Sequence, residues 1–138
     1  MVNRQTPSLS FEVFPPNPAV GNDKIFQALR EMQDLAPHFI SVTASNNKFD
    51  IEETTVRLTE FIANDLKIPT IAHLPAVYLT KDMVSNILQS LDRVGVHQIL
   101  ALRGDIFPDV APKDDFTYAT DLIEYIKTEA PHFDIIGA

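Results

Sequence analysis

The sequence predicts an α/β fold built on a parallel sheet. Three observations carry that reading. Short apolar runs alternate with stretches of helical periodicity along the whole chain. The polar residues that close successive runs, namely Glu12, Thr43, His73 and the pair Arg103/Asp105, recur about every thirty residues, the length of a βα unit. The run from Val96 to Leu102 is almost continuously apolar, as strands covered on both faces are.

Taken in order, 8–14 alternates, with Leu9, Phe11 and Val13 on one face and Ser10, Glu12 and Phe14 on the other, and Pro15-Pro16 forbids further ladder. A helix over 22–36 follows from Ile25, Leu29, Met32 and Ala36 at helical spacing, and Pro37 ends it. Residues 39–43 read as a second strand. Asp50, with Glu53 three residues on, starts a helix whose stripe is Ile51, Leu58, Phe61 and Ile62. A third strand covers 69–74. Thr80 caps a third helix with Met83, Val84, Ile87, Leu88, Leu91 and Val94 on one side, and Gly95 sits where a left-handed terminus is wanted. A fourth strand at 96–102, a loop with Pro108 and Pro112, a fourth helix over 116–129 and a fifth strand from 133 complete the pattern.

Short βα connections with right-handed crossovers leave two closures open, a barrel or an open doubly wound sheet. No Gly-x-Gly-x-x-Gly or Walker loop is present, and there are only four glycines, so a glycine-lined dinucleotide turn is not expected. At 138 residues the chain reads as one domain, 1–138. A net charge of −8 argues against nucleic acid or an anionic membrane as partner. No apolar run reaches the roughly 18 residues of a span, and Met1–Pro7 carries no signal core, so a cytoplasmic protein is expected. Zero cysteines exclude disulfides and a thiol nucleophile.

Strand parity gathers the polar residues. Phe39, Ser41 and Thr43 share a face, Ile71 and His73 share one, and Ile99, Ala101, Arg103 and Asp105 follow one parity if the strand stays regular, with Leu100 and Leu102 then packing on helices. Each residue alone has a bland reading: a solvated edge glutamate, a satisfied core histidine, a strand-end ion pair, an ordinary strand threonine. Their shared phase favours one site at the carboxyl ends of the strands. His38, His97 and His132 fall at the opposite ends, as surface or packing residues. With one histidine on the active face, no metal site is expected.

The segments Ser10-Phe11-Glu12-Val13-Phe14-Pro15-Pro16, Phe39-Ile40-Ser41-Val42-Thr43, Ala72-His73-Leu74, Ala101-Leu102-Arg103-Gly104-Asp105, Tyr118-Ala119-x-Asp121-Leu122 and Phe133-Asp134-Ile135 resemble, in order and spacing, the signatures of the 5,10-methylenetetrahydrofolate reductase family. The resemblance implies about four and a half units of a (β/α)8 barrel. It implies FAD as cofactor, NAD(P)H and methylenetetrahydrofolate as substrates, and a place in one-carbon and methionine metabolism. Glu12 matches the family's general acid, which protonates the leaving nitrogen of the folate ring; burial at the barrel mouth would keep its carboxyl protonated. Asp105 matches the carboxylate beside flavin and pterin. Thr43, His73, Arg103, Gly104 and Ala119 match positions lining the flavin, with Leu102 contributing backbone.

Two departures accompany the match. The family follows Ser-Val-Thr with an aromatic residue and glycine, where this chain has Ala44 and Ser45, then Asn46-Asn47. The sequence also stops before the family's Tyr-Pro-Glu and its four remaining βα units, which carry further FAD contacts and a pterin-binding glutamine. A half barrel has an open edge and an uncovered inner face. The expected partner is therefore a second copy of the chain or a separate second-half chain, and the alternative is a non-catalytic half-barrel acting as an interaction module.

Overall fold

A computed structural model describes residues 8–17, 19, 21–44 and 50–137. Five strands, β1 (Ser10–Val13), β2 (Phe39–Val42), β3 (Thr70–Pro75), β4 (Gln98–Leu102) and β5 (Asp134–Gly137), form one sheet in the order β1-β2-β3-β4-β5, every pair parallel. The helices between them are α1 (Asp23–Gln33), α2 (Arg57–Glu60), α3 (Lys81–Val94) and α4 (Ala119–Glu129). A sheet whose spatial order equals its chain order has no switch point. Right-handed crossovers then put every helix on one face, which is the winding of a βα barrel and not of a doubly wound sheet.

The covered face is the core. Val13, Ile40 and Val42 pack with Leu29 of α1 and with Leu58, Phe61 and Ile62 around α2. Ala72, Leu74, Ile99 and Ala101 pack with Val84, Ile87, Leu88 and Leu91 of α3 and with Leu122 and Ile126 of α4. The pattern that predicted α3 is thus its buried stripe, apart from Met83, which stays exposed at the rim of that stripe. Its ends are also as expected: Thr80 Oγ1 accepts from the Met83 N–H at 3.1 Å, and Gly95 closes the helix at φ 79°. Helix α1 stops at Gln33, short of the expected boundary, and Leu35 is exposed while Ala36 takes φ 49°.

The helix begun at Asp50 is less regular than its stripe suggests. Turns of π geometry at Glu52–Val56 and Phe61–Asp65 flank α2. Asp50 Oδ1 accepts from the Glu52 N–H at 2.8 Å, as a cap should. The threonines account for the loosening. Thr54 Oγ1 donates to the Asp50 carbonyl at 2.9 Å and Thr59 Oγ1 to the Val56 carbonyl at 2.7 Å, so hydroxyls compete with the helical ladder, and the Val56 N–H reaches five residues back to Ile51.

One expectation is corrected on β4. Paired residues of a parallel sheet share a face. His73 pairs Leu100 and Pro75 pairs Leu102, so these leucines lie on the face away from the helices, half-buried, while Ile99 and Ala101 are the helix-facing, fully buried pair. Arg103 and Asp105 lie past the end of the strand, so their phase does not carry back onto β4. The strand ends at Leu102, and Gly104 at φ 93° breaks the alternation.

Candidate active site

The uncovered face presents two rows of side chains. Glu12 of β1 is in register with Ser41 of β2, which is in register with Ile71 of β3. One step toward the carboxyl rim, Thr43 follows β2 on the row of His73 and Leu100. Glu12 and His73 meet diagonally across β2: Glu12 Oε1 lies 3.7 Å from His73 Nε2. That is an electrostatic contact, longer than a hydrogen bond.

The two partners differ in surroundings. His73 retains 8% side-chain exposure and Glu12 55%. Burial lowers the imidazole below its usual range, and the nearby Glu12 carboxylate opposes this with a smaller effect. His73 is therefore neutral at pH 7, able to donate from one ring nitrogen and accept at the other. The burial expected of Glu12 is not present: its side chain is 55% exposed, and among the described residues β1 is an edge strand looking over an open face.

Thr43 is fixed from two sides. Its N–H donates to the Val13 carbonyl at 3.0 Å, and its carbonyl accepts from Thr55 Oγ1 at 2.9 Å. Its own Oγ1 is buried with no hydrogen-bond partner among the described residues. An unsatisfied buried hydroxyl costs about 1–3 kcal/mol, so this atom is suited to a ligand that completes it. Thr70 Oγ1 is in the same condition but sits at the amino end of β3, on the helix-facing side, away from Glu12 and His73.

Arg103, Gly104 and Asp105 leave β4 along the rim above β3. The Arg103 carbonyl accepts from the Val77 N–H at 3.0 Å. A Cβ on Gly104 would stand 3.0 Å from Pro75 Cβ and 3.3 Å from Val77 Cγ2, so glycine is required here by the close approach of loop to strand as well as by φ. Tyr78 then pins the segment: its hydroxyl donates to the Asp105 carbonyl at 2.5 Å and accepts from the Phe107 N–H at 3.1 Å, with its ring stacked on Phe107. Both the Arg103 and Asp105 side chains are exposed. Among the described residues, no hydrogen bond or ion pair joins Asp105 to Glu12, His73 or Arg103, so the site has two parts, the Glu12/Thr43/His73 floor and the 103–105 rim. Ala119 opens α4 at the same rim, where Asp121 Oδ2 accepts from the Tyr118 N–H at 2.9 Å.

Sequence reasoning missed Tyr78 and Thr55. Neither carries a motif signal, since their roles depend on which carbonyl folds back toward them. Ala44 packs at the edge of the core, while Ser45, Asn46 and Asn47 lie outside the described residues.

A family model described as Methylenetetrahydrofolate reductase matches residues 1–138. The chain is 34% identical over 129 residues to the 5,10-methylenetetrahydrofolate reductase of Buchnera aphidicola subsp. Baizongia pistaciae, covering 93% of this chain and 42% of that protein. It is 29% identical over 128 residues to the enzyme of that name from Escherichia coli, with the same coverages, and 30% identical over 123 residues to Methylenetetrahydrofolate reductase 1 of Schizosaccharomyces pombe, covering 86% and 20%. The chain thus spans less than half the length of these relatives.

Proposed function

The chain belongs to the methylenetetrahydrofolate reductase family, and we propose that it supplies the first half of a flavin-dependent site that reduces 5,10-methylenetetrahydrofolate to 5-methyltetrahydrofolate with NAD(P)H. The observation that carries the reading is the Glu12–His73 contact beside the Thr43 hydroxyl, which has no partner among the described residues, on the strand face that no described helix covers. A partner-seeking buried hydroxyl next to a neutral imidazole fits the polar edge of a flavin ring. Thr43 and His73 would hold that edge, with Leu102 on the same face and Ala119, Arg103 and Gly104 along the rim.

Bound FAD supplies the hydride relay between nicotinamide and folate. The remaining chemistry belongs to side chains of this chain. Glu12 gives a proton to the leaving ring nitrogen of the folate. Its Oε1 lies 3.7 Å from His73 Nε2, on the side of the sheet where the folate would lie. Asp105, exposed on a segment held by Tyr78, orients the pterin from above. Arg103 offers a cation at the rim for cofactor phosphate.

We infer also that the uncovered face is closed by further strands of the same barrel type. It exposes Ile136 and half-buried Leu100 and Leu102. Among the described residues β5 has a partner on one side only. No helix among the described residues is long and apolar enough to cross a membrane. The enzymatic reading is tested by titrating the protein with FAD. Quenching of flavin fluorescence that Thr43→Val weakens, followed by anaerobic bleaching with NAD(P)H, supports it. A chain that leaves FAD unquenched in the presence of its completing strands would leave a non-catalytic interaction module as the reading.

A further inference from the structure

At the opposite end of the sheet from the candidate active site, three side chains from three separate segments converge on one point. Asp92 lies in the last turn of α3, His97 just before β4 and His132 just before β5. His97 Nε2 is 2.9 Å and His132 Nε2 2.7 Å from the same oxygen, Asp92 Oδ1. All three ligand atoms lie within 4.8 Å of one another. The imidazoles approach from different directions, with ring planes 69° apart and centroids 5.5 Å apart. The backbone beneath is fixed, since the Asp134 N–H donates to the His97 carbonyl at 2.8 Å and both histidine rings pack on Phe133, which is buried.

We propose that Asp92, His97 and His132 form a binding site for a divalent late first-row metal ion, of which Zn2+ is the type. Two imidazole nitrogens and one carboxylate oxygen are a donor set such an ion takes. A tetrahedral site with bonds of about 2.0 Å has ligand–ligand edges of about 3.3 Å. Opening the two carboxylate contacts by roughly half an ångström, and drawing together the two imidazole nitrogens, which lie within 4.8 Å of each other, reaches that spacing within the play of side chains that are each about half exposed. The open side faces solvent, which fills the remaining position. A hard ion such as Mg2+ is disfavoured by the nitrogen ligands. The site is independent of the folate reading, sharing no residue with it. It departs from the surface or packing role expected of His97 and His132.

The experiment is calorimetric titration of the tag-free chain with Zn2+, paired with the visible spectrum of the Co2+ form. One equivalent should bind, cobalt should give the intense bands of four-coordination, and Zn2+ should raise the melting temperature. His132→Gln and His97→Gln should each weaken binding roughly tenfold or more, and His38→Gln, outside the cluster, should leave it unchanged. Asp92→Asn keeps an acceptor for both rings but removes the anionic ligand. It should weaken binding while preserving the circular dichroism spectrum, which keeps the test valid if a histidine variant fails to fold. Absent binding, or equal affinity in parent, His132→Gln and Asp92→Asn, overturns the proposal and leaves a hydrogen-bonded triad only.

Discussion

Glu12 and His73 are 3.7 Å apart in space and 61 residues apart in sequence, and their pairing produces two predictions at the scale of single side chains. Glu12→Gln keeps the shape and removes the transferable proton. On the flavin-dependent reading proposed above, folate reduction should fall by about 10²–10⁴-fold while flavin reduction by NAD(P)H persists, as stopped-flow spectra of the two half-reactions would show. Equal loss in both halves would reassign Glu12 to cofactor binding. The second prediction concerns pH. Burial lowers the His73 pKa, against a smaller opposing effect of Glu12, so between that lowered value and the ordinary 6.5 the unfolded chain binds more protons than the folded one. Stability from this group is complete above 6.5 and declines as pH falls below it, so the urea midpoint should drop on acidification, and His73→Asn should flatten that part of the slope. Much of the floor was legible in the sequence. Alternation in β1, β2 and β3 placed Glu12, Thr43 and His73 on one face because those strands stay regular to their ends. The rim was not, because alternation carries no information past Leu102, where Gly104 turns the chain and Tyr78, a residue without any motif, decides where Asp105 rests.

Among the elements, α3 carries its instructions locally and α2 does not. Thr80, the apolar stripe and Gly95 each specify α3 independently, and the helix forms with both ends where the sequence places them. Thr80→Ala should cost about 1 kcal/mol through the lost bond to the Met83 N–H. Gly95→Ala should cost about 1–2 kcal/mol by backbone strain alone, since a Cβ there meets nothing within 4 Å and only the left-handed φ opposes it. Chemical denaturation of the two single variants checks both values, and a neutral Gly95→Ala would mean that the helix end shifts. The stretch from 52 to 65 has an equally clear stripe, yet its threonine hydroxyls take up carbonyls that the ladder would use, at Asp50 and Val56. Periodicity reports which face is buried and is blind to that competition, so the wider turns were not readable. The same deviation has a use: it brings Thr55 to the Thr43 carbonyl and so holds the end of β2 that presents the orphaned hydroxyl.

For the whole molecule, the order β1-β2-β3-β4-β5 decides between the two closures that connection lengths left open. Local periodicity could not, because a crossover helix reads the same whether the next strand joins the left or the right of its predecessor; the scarcity of glycine argued against a dinucleotide turn, and the resemblance of the ordered motifs to the reductase family implied the barrel. One consequence follows from helices on a single side. The opposite side carries Leu100, Leu102 and Ile136, with Ile136 49% exposed, beside an edge strand whose outer N–H and C=O groups have no strand partner among the described residues. Apolar area is removed from water at about 25 cal/mol per Å2, so covering this face with another layer of strands is favourable provided the polar edge is paired at the same time. A second copy of the chain satisfies both demands. Sedimentation velocity of the 138-residue chain should therefore show self-association that rises with concentration. Leu100→Asp with Ile136→Asp should abolish it, with the far-ultraviolet circular dichroism unchanged, because neither residue belongs to the clusters under the helices. Association that survives both charges would place the contact on the helical side. A parent that sediments as a monomer at every concentration would show that the strand face is closed by other means, and the two-copy barrel would be wrong.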